Sequence, residues 1–156
     1  LVLVVSDAIS RCFPSTLQAV TVPSIYLNWE RILIVSRAYE FLRECGFFFV
    51  LTVNDDYPAG RPFGAVMEVG DDLYLSTNDM NQAHKQMREH KQIQIVAKKP
   101  TSREWIRITG IANEFDDKDL KQKMLEECPV LQQRFGAVGM EHFIMYKVKV
   151  EHVEIK

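Results

Sequence analysis

The chain has 156 residues, of which 47% are hydrophobic, 10% aromatic and 26% charged. This composition excludes a low-complexity or disordered chain and suits a single domain around one core. Lys and Arg number 19 against 21 Asp and Glu, a formal charge of −2 without the basic excess of a protein that binds nucleic acid through its phosphates. No apolar run nears the ~18 residues of a membrane span. The three cysteines, Cys12, Cys45 and Cys128, are far apart, without a CxxC pair. Neither a disulfide framework nor a zinc knuckle follows, and a reducing, cytoplasmic setting is expected.

Residues 1–34 begin with the apolar run Leu1 to Val5, which lacks the basic flank of a secretory signal. They continue with few charges and no sustained period, and the first methionine is Met67. The segment is read as an N-terminal extension: a packed piece of the protein, or upstream sequence translated ahead of a start at Val35, the preferred reading. Residues 35–156 form the expected domain.

From Ser36 the pattern is clearer. Ala38, Phe41, Leu42 and Cys45 recur at helical spacing, and Gly46 suits a helix stop. Phe47 to Val53 is a continuous apolar run, expected as a buried strand, and Asn54 to Gly60 is turn-like in composition. Arg61 to Val69 alternates as one strand; Gly70-Asp71-Asp72 turns into a strand over Leu73 to Thr77. Asn81 suits the N-cap of a helix running to about His90, with Ala83 and Met87 inward. Strands follow over Gln92 to Lys98 and Trp105 to Phe115. Asp116 is the expected cap of a helix with Leu120, Met124, Leu125 and Cys128 inward, ending before Pro129. Phe143 to Ile155 is the last strand. Six strands at hairpin spacing with few helices predict a mainly β fold, an antiparallel barrel with peripheral helices.

Motifs exclude several chemistries. His84, His90, His142 and His152 show no metal-ligand spacing, and His84 and His90 are expected at a solvated helix surface. There is no GxSxG, GxGxxG or GxxxxGK[ST]. The acids Asp116, Asp117 and Asp119 suit a helix start rather than a catalytic cluster. One constellation remains. Arg61-Pro62-x-Gly64 opens a strand, Ser76-Thr77-Asn78 ends another, and Asn81-Gln82-x-x-Lys85 opens the following helix. A hydroxyl, an amide, unpaired N–H groups and two cations make an anion site. A capped helix with surface Lys and Arg explains the same residues equally well.

The runs Arg61-Pro62-Phe63-Gly64-Ala65-Val66-Met67-Glu68, Leu73 to Asn78 with Lys85-Gln86-Met87, and Glu104-Trp105-Ile106-Arg107-Ile108-Thr109-Gly110 resemble those of the pyridoxamine 5′-phosphate oxidase-like, flavin-binding split β-barrel proteins. The likeness spans residues 35–156 and is strongest to the short bacterial, nitroimidazole-reductase-like members. It implies a homodimer of six-stranded split barrels with FMN at the subunit interface. Arg61 and Lys85 would hold the phosphate with Thr77 and Asn78, Gln82 would lie beside it, and Ser76 would belong to the same cofactor site. Pro62, Phe63 and Gly64 would line the flavin ring, with Trp105 near the ring or the dimer seam. Asn81 stands where close relatives often carry lysine. Val66 replaces the lysine that true pyridoxamine phosphate oxidases use for the substrate phosphate, and Glu151 to Lys156 has no counterpart of their Arg- and His-bearing substrate segment. Vitamin B6 oxidation is therefore not expected. The implied activity is electron transfer from a nicotinamide donor through FMN to a small, nitro-aromatic acceptor, with no catalytic side chain assigned. The alternatives are a non-catalytic flavin-binding or stress-related protein, and a haem or deazaflavin binder in which His84 or His142 would be the axial ligand.

Overall fold

The structure, a computed structural model, describes residues 24–156, with side chains from Trp29 onward. The expected readings of Cys12 and of the segment before residue 24 lie outside the described residues.

Helix α1 (Ser24–Cys45) starts well before Ser36. Its apolar stripe is the expected one, with Val35, Ala38, Phe41, Leu42 and Cys45 buried. Upstream, Arg31 Nε lies 2.6 Å from the Asp71 carboxylate, and its guanidinium donates to the Val150 carbonyl at 3.0 Å. These two anchors are long-range, which is why no local period marks this part of the helix. Gly46 ends α1 with φ +75°.

Seven strands follow: β1 (Phe48–Asn54), β2 (Tyr57–Phe63), β3 (Val66–Val69), β4 (Asp72–Asn78), β5 (Gln92–Lys98), β6 (Trp105–Glu114) and β7 (Phe143–Ile155). Helices α2 (Gln82–Glu89), α3 (Lys118–Glu127) and α4 (Pro129–Val138) and a 3₁₀ turn at Met140–His142 complete the chain. All strand pairs are antiparallel, in the order β2-β1-β5-β6-β7-β4-β3.

The seventh strand corrects the expected six. The turn-like Tyr57-Pro58-Ala59-Gly60 is strand, because β2 is an edge and an edge accommodates proline. Only Asp55 and Asp56 turn the β1–β2 hairpin, Asp55 with φ +52°. The single strand expected over Arg61 to Val69 is two, broken at Gly64-Ala65. In hydrogen-bond order β2 and β3 are opposite edges of the sheet. Seven flat strands would place those edges about 29 Å apart, whereas the Phe63-to-Val66 link spans about 11 Å at most. The sheet must curl on itself, and the result is a split barrel.

Two apolar clusters hold this shape. One packs α1 and α2 on the barrel lining, with Leu42, Phe48, Leu75, Met87, Ile95, Ile108 and Tyr146 among its members. The other joins α3 and α4 to β3, β4 and β7 through Met67, Tyr74, Met124, Leu131, Phe135 and Phe143. Strand β4 lies between them and is buried along its whole length. Pro129 ends α3 but also occupies the first turn of α4, where its missing N–H costs nothing, so the expected stop is also a start. The α3 cap is Asp117, one residue after the expected Asp116, with its side chain accepting from Leu120 N–H at 2.9 Å.

Gly110 sits at the β-bulge between β6 and β7, and a Cβ there would meet the Lys149 carbonyl oxygen at 2.7 Å. Gly110→Ala is expected to destabilise the fold by about 2–3 kcal/mol, because the obstacle is paired backbone that cannot rotate away. Urea denaturation of the two proteins measures this.

Candidate functional site

A cavity of about 470 Å³ opens where the β2–β3 corner, the end of β4, the start of α2 and one face of α4 meet. Arg61, Pro62, Phe63 and Gly64 come from the corner, Ser76 and Thr77 from β4, Asn81 and Gln82 from the start of α2. The volume is in the range of small-molecule and cofactor sites.

Arg61 enters from β2 and reaches across β1 to α2. It donates to Thr52 Oγ1 at 2.9 Å, to the Ala59 carbonyl at 3.1 Å and to Gln86 Oε1 at 2.7 Å. Gln86 is buried, also accepts from Thr52 Oγ1 at 2.6 Å and donates to Asn54 Oδ1 at 2.7 Å. Every Arg61 partner is neutral, and among the described residues no carboxylate pairs with it. Burial lowers its pKa from the ordinary arginine value. Three of the five guanidinium N–H donors are used, so two remain to bind an anion. Gln86 was not among the expected site residues. Its place beside Met87 on the buried face of α2 is the signal that marks it.

Ser76 is the second unusual feature. It is only 7% exposed, lines the cavity, and its Oγ has no hydrogen-bond partner among the described residues. A buried hydroxyl without a partner costs about 1–3 kcal/mol unless something accepts from it. Asn81 occupies the N-cap of α2 as expected, yet its side chain donates to Thr77 Oγ1 at 3.3 Å and does not cap the helix. The first turn of α2, with Gln82 and Ala83 on the wall, therefore opens on the cavity without a side-chain cap.

Three expected residues stand apart from the cavity wall. Asn78 is buried behind it and accepts from Met80 N–H at 2.7 Å. Lys85 lies on the exposed side of α2, because the inward positions are Ala83, His84, Gln86 and Met87. Trp105 begins β6, its N–H and carbonyl both paired with Lys156, on the outward face of the sheet. His84 also departs from its expected solvated position: it is buried, with Nδ1 2.9 Å from the Tyr146 hydroxyl, whose pKa burial pushes up to about 12. His142 Nδ1 lies 2.9 Å from Asp79 Oδ1. No histidine lines the cavity. Among the described residues there is no cluster of three or more metal-ligating side chains, and no helix long and apolar enough to cross a membrane.

The far wall comes from α4 through Val130, Leu131 and Arg134, which sequence reasoning missed together with their helix. Outside the cavity, the outward sheet face carries exposed Phe47 (60%), Phe49 (45%) and Val53 (37%), an apolar patch in register with Trp105 two strands away.

Residues 35–156 match the family model described as pyridoxamine 5′-phosphate oxidase. No curated protein matches the chain. Among solved structures, the chain is similar to a NimC/NimA family protein of Clostridium acetobutylicum, with 29% identity and a TM-score of 0.73 over 83% of this chain and 96% of that one. A FAD-binding protein of Mesorhizobium loti is 12% identical, with a TM-score of 0.57 over 77% and 91% of the two chains. HutZ, the haem storage protein of Vibrio cholerae, is also 12% identical, with a TM-score of 0.56 over 79% and 93%. The last two share the fold alone.

Proposed function

The chain belongs to the pyridoxamine 5′-phosphate oxidase family, and on that premise we propose that its cavity binds FMN. We further propose that the protein is an oxidoreductase passing electrons from a nicotinamide donor to a small nitro-aromatic acceptor. The observation that carries the cofactor reading is the pairing, on one wall, of an Arg61 guanidinium without a carboxylate and an orphaned Ser76 hydroxyl. Both are answered by one phosphate, which accepts charge-assisted hydrogen bonds from each.

In this reading Arg61, Ser76, Thr77, Asn81 and the open first turn of α2 hold the phosphate, and Gln82 flanks it. Pro62, Phe63 and Gly64 line the ring, where Gly64 is exposed and free of a Cβ that would hold a flat ligand away from the backbone. The flavin supplies the redox chemistry when bound; the chain positions it and excludes water. Residues 35–156 carry the site. The apolar patch of Phe47, Phe49 and Val53, together with Trp105, is the seam of a proposed homodimer. Oxidation of pyridoxamine phosphate is disfavoured, because Val66 is buried in the core and presents no cation. A haem reading is disfavoured because no histidine lines the cavity.

The test is a titration of cofactor-free protein with FMN, followed by flavin fluorescence, on the parent and on Ser76→Ala. The parent is expected to bind one FMN per chain. Ser76→Ala should weaken binding about tenfold, through loss of one hydrogen bond to a charged acceptor, while leaving the melting temperature of the cofactor-free protein unchanged or raised. A parent that ignores FMN would overturn the proposal.

A further inference from the structure

We infer that Arg134 selects the second ligand of this cavity, and that this ligand is a small planar aromatic molecule bearing one negative charge, a carboxylate in the simplest case. The inference rests on the FMN reading above and names the class of acceptor that the α4 side of the cavity suits.

The cavity has two chemically different sides. The strand side, with Arg61, Ser76, Thr77 and the first turn of α2, supplies the polar groups. The α4 side contributes two apolar residues, Val130 and Leu131, and one cation, Arg134. Leu131 and Arg134 are three apart and Val130 and Arg134 four apart, so all three share one helix face. Val130 is 64% exposed and lines the cavity, so its side chain is open to an apolar ligand there. Arg134 is exposed as well, and among the described residues no carboxylate pairs with it.

An apolar wall with a single guanidinium complements a flat apolar body with a single planar oxyanion. The arginine fork can take both oxygens of a carboxylate at once, which a lysine cannot do. Arg134 is a poor candidate for a second phosphate anchor, because the α4 side offers no hydroxyl or amide to complete a phosphate cage. Its exposure sets the size of the effect. A charge contact open to solvent is screened by salt, so the expected preference is modest, about threefold to tenfold, and shrinks as ionic strength rises.

The experiment uses the full chain loaded with FMN and two probes of nearly equal shape, 4-nitrobenzoate and its neutral counterpart 4-nitrobenzamide. Equilibrium binding is followed by calorimetry and by perturbation of the flavin absorption band, at about 0.02 M and about 0.5 M salt. The parent is expected to bind the benzoate about threefold to tenfold more tightly at low salt and to lose that margin at high salt. Arg134→Gln should abolish the preference and Arg134→Lys should retain part of it, with the FMN dissociation constant unchanged in both. Equal binding of the two probes by the parent, or a preference that survives Arg134→Gln, would overturn the inference. So would an Arg134→Gln protein whose FMN affinity falls tenfold, which would assign Arg134 to the cofactor. A parent that fails to bind FMN defeats the cofactor reading and this inference together. A parent that binds FMN yet shows no preference between the probes at low salt defeats this inference alone.

Discussion

Arg61→Ala is expected to weaken FMN binding by about tenfold to a hundredfold, the largest loss of any single change on the cavity wall. A hydrogen bond to a charged group contributes about 1.5–3 kcal/mol, which corresponds to that range of dissociation constants. Arg61 is already oriented by Thr52, Ala59 and Gln86, so little side-chain entropy remains to be lost when a ligand arrives. Its partial burial also leaves the contact less screened than a fully exposed surface pair. The same three hydrogen bonds predict a structural cost. Removing the guanidinium deprives Gln86 Oε1 of one donor, although Thr52 Oγ1 still donates to it at 2.6 Å, so the cofactor-free protein should melt only slightly earlier. Lys85→Ala is the informative comparison, because Lys85 is exposed on α2 and is not part of the cavity wall. Its effect on FMN affinity is expected to stay within about threefold, as for a solvent-screened charge. Fluorescence titration reads both variants. Equal losses from Arg61→Ala and Lys85→Ala would show that the phosphate lies nearer the α2 surface than the cavity does.

Phe135→Ala should destabilise the protein by about 3–5 kcal/mol, a large share of the stability of a domain this size. Phe135 is 1% exposed and packs edge-to-face on Phe143 with ring centroids 4.7 Å apart. It is the deepest anchor of α4, which rests on the second apolar cluster with Leu131. The loss has a functional side as well. Val130, Leu131 and Arg134 reach the cavity only while α4 is docked, so this variant should lose the wall opposite Arg61 before it loses the barrel. Chemical denaturation with two probes distinguishes these events: tryptophan fluorescence, which reports Trp105 on the far sheet face and Trp29 on α1, and cofactor affinity, which reports the cavity. A single transition for both would mean that α4 and the barrel unfold as one unit.

Much of this molecule follows from local pattern. Strands β5 and β7 begin and end where alternation predicts, and β6 departs by a single residue. The apolar stripe of α1 and the inward pair Ala83 and Met87 of α2 are likewise readable, because burial on one face imposes a period that any single element displays. The same local logic brings Arg61, Ser76, Thr77 and Gln82 into one list, and the fold places all four on one cavity.

What local pattern could not determine depends on contacts between distant residues. One alternating stretch, Arg61 to Val69, supplies both edges of the curled sheet, and only closure of the barrel decides that it breaks at Gly64-Ala65. Pro129 looks like a stop from either side; docking of Leu131 and Phe135 on β3, β4 and β7 makes it the start of α4. The run Phe47 to Val53 is apolar but for Thr52, yet Phe49 and Val53 face outward, because a sheet face is assigned by what packs on it rather than by its own composition. His84 has the composition of a surface helix around it, and only the Tyr146 hydroxyl, 62 residues away, explains its burial. The sequence by itself thus determined the fold class and the strand side of the cavity, where short-range periodicity and turn chemistry act. The tertiary structure alone decided the α4 wall, the Arg61–Gln86 network and the burial of His84, because each depends on which distant surfaces meet.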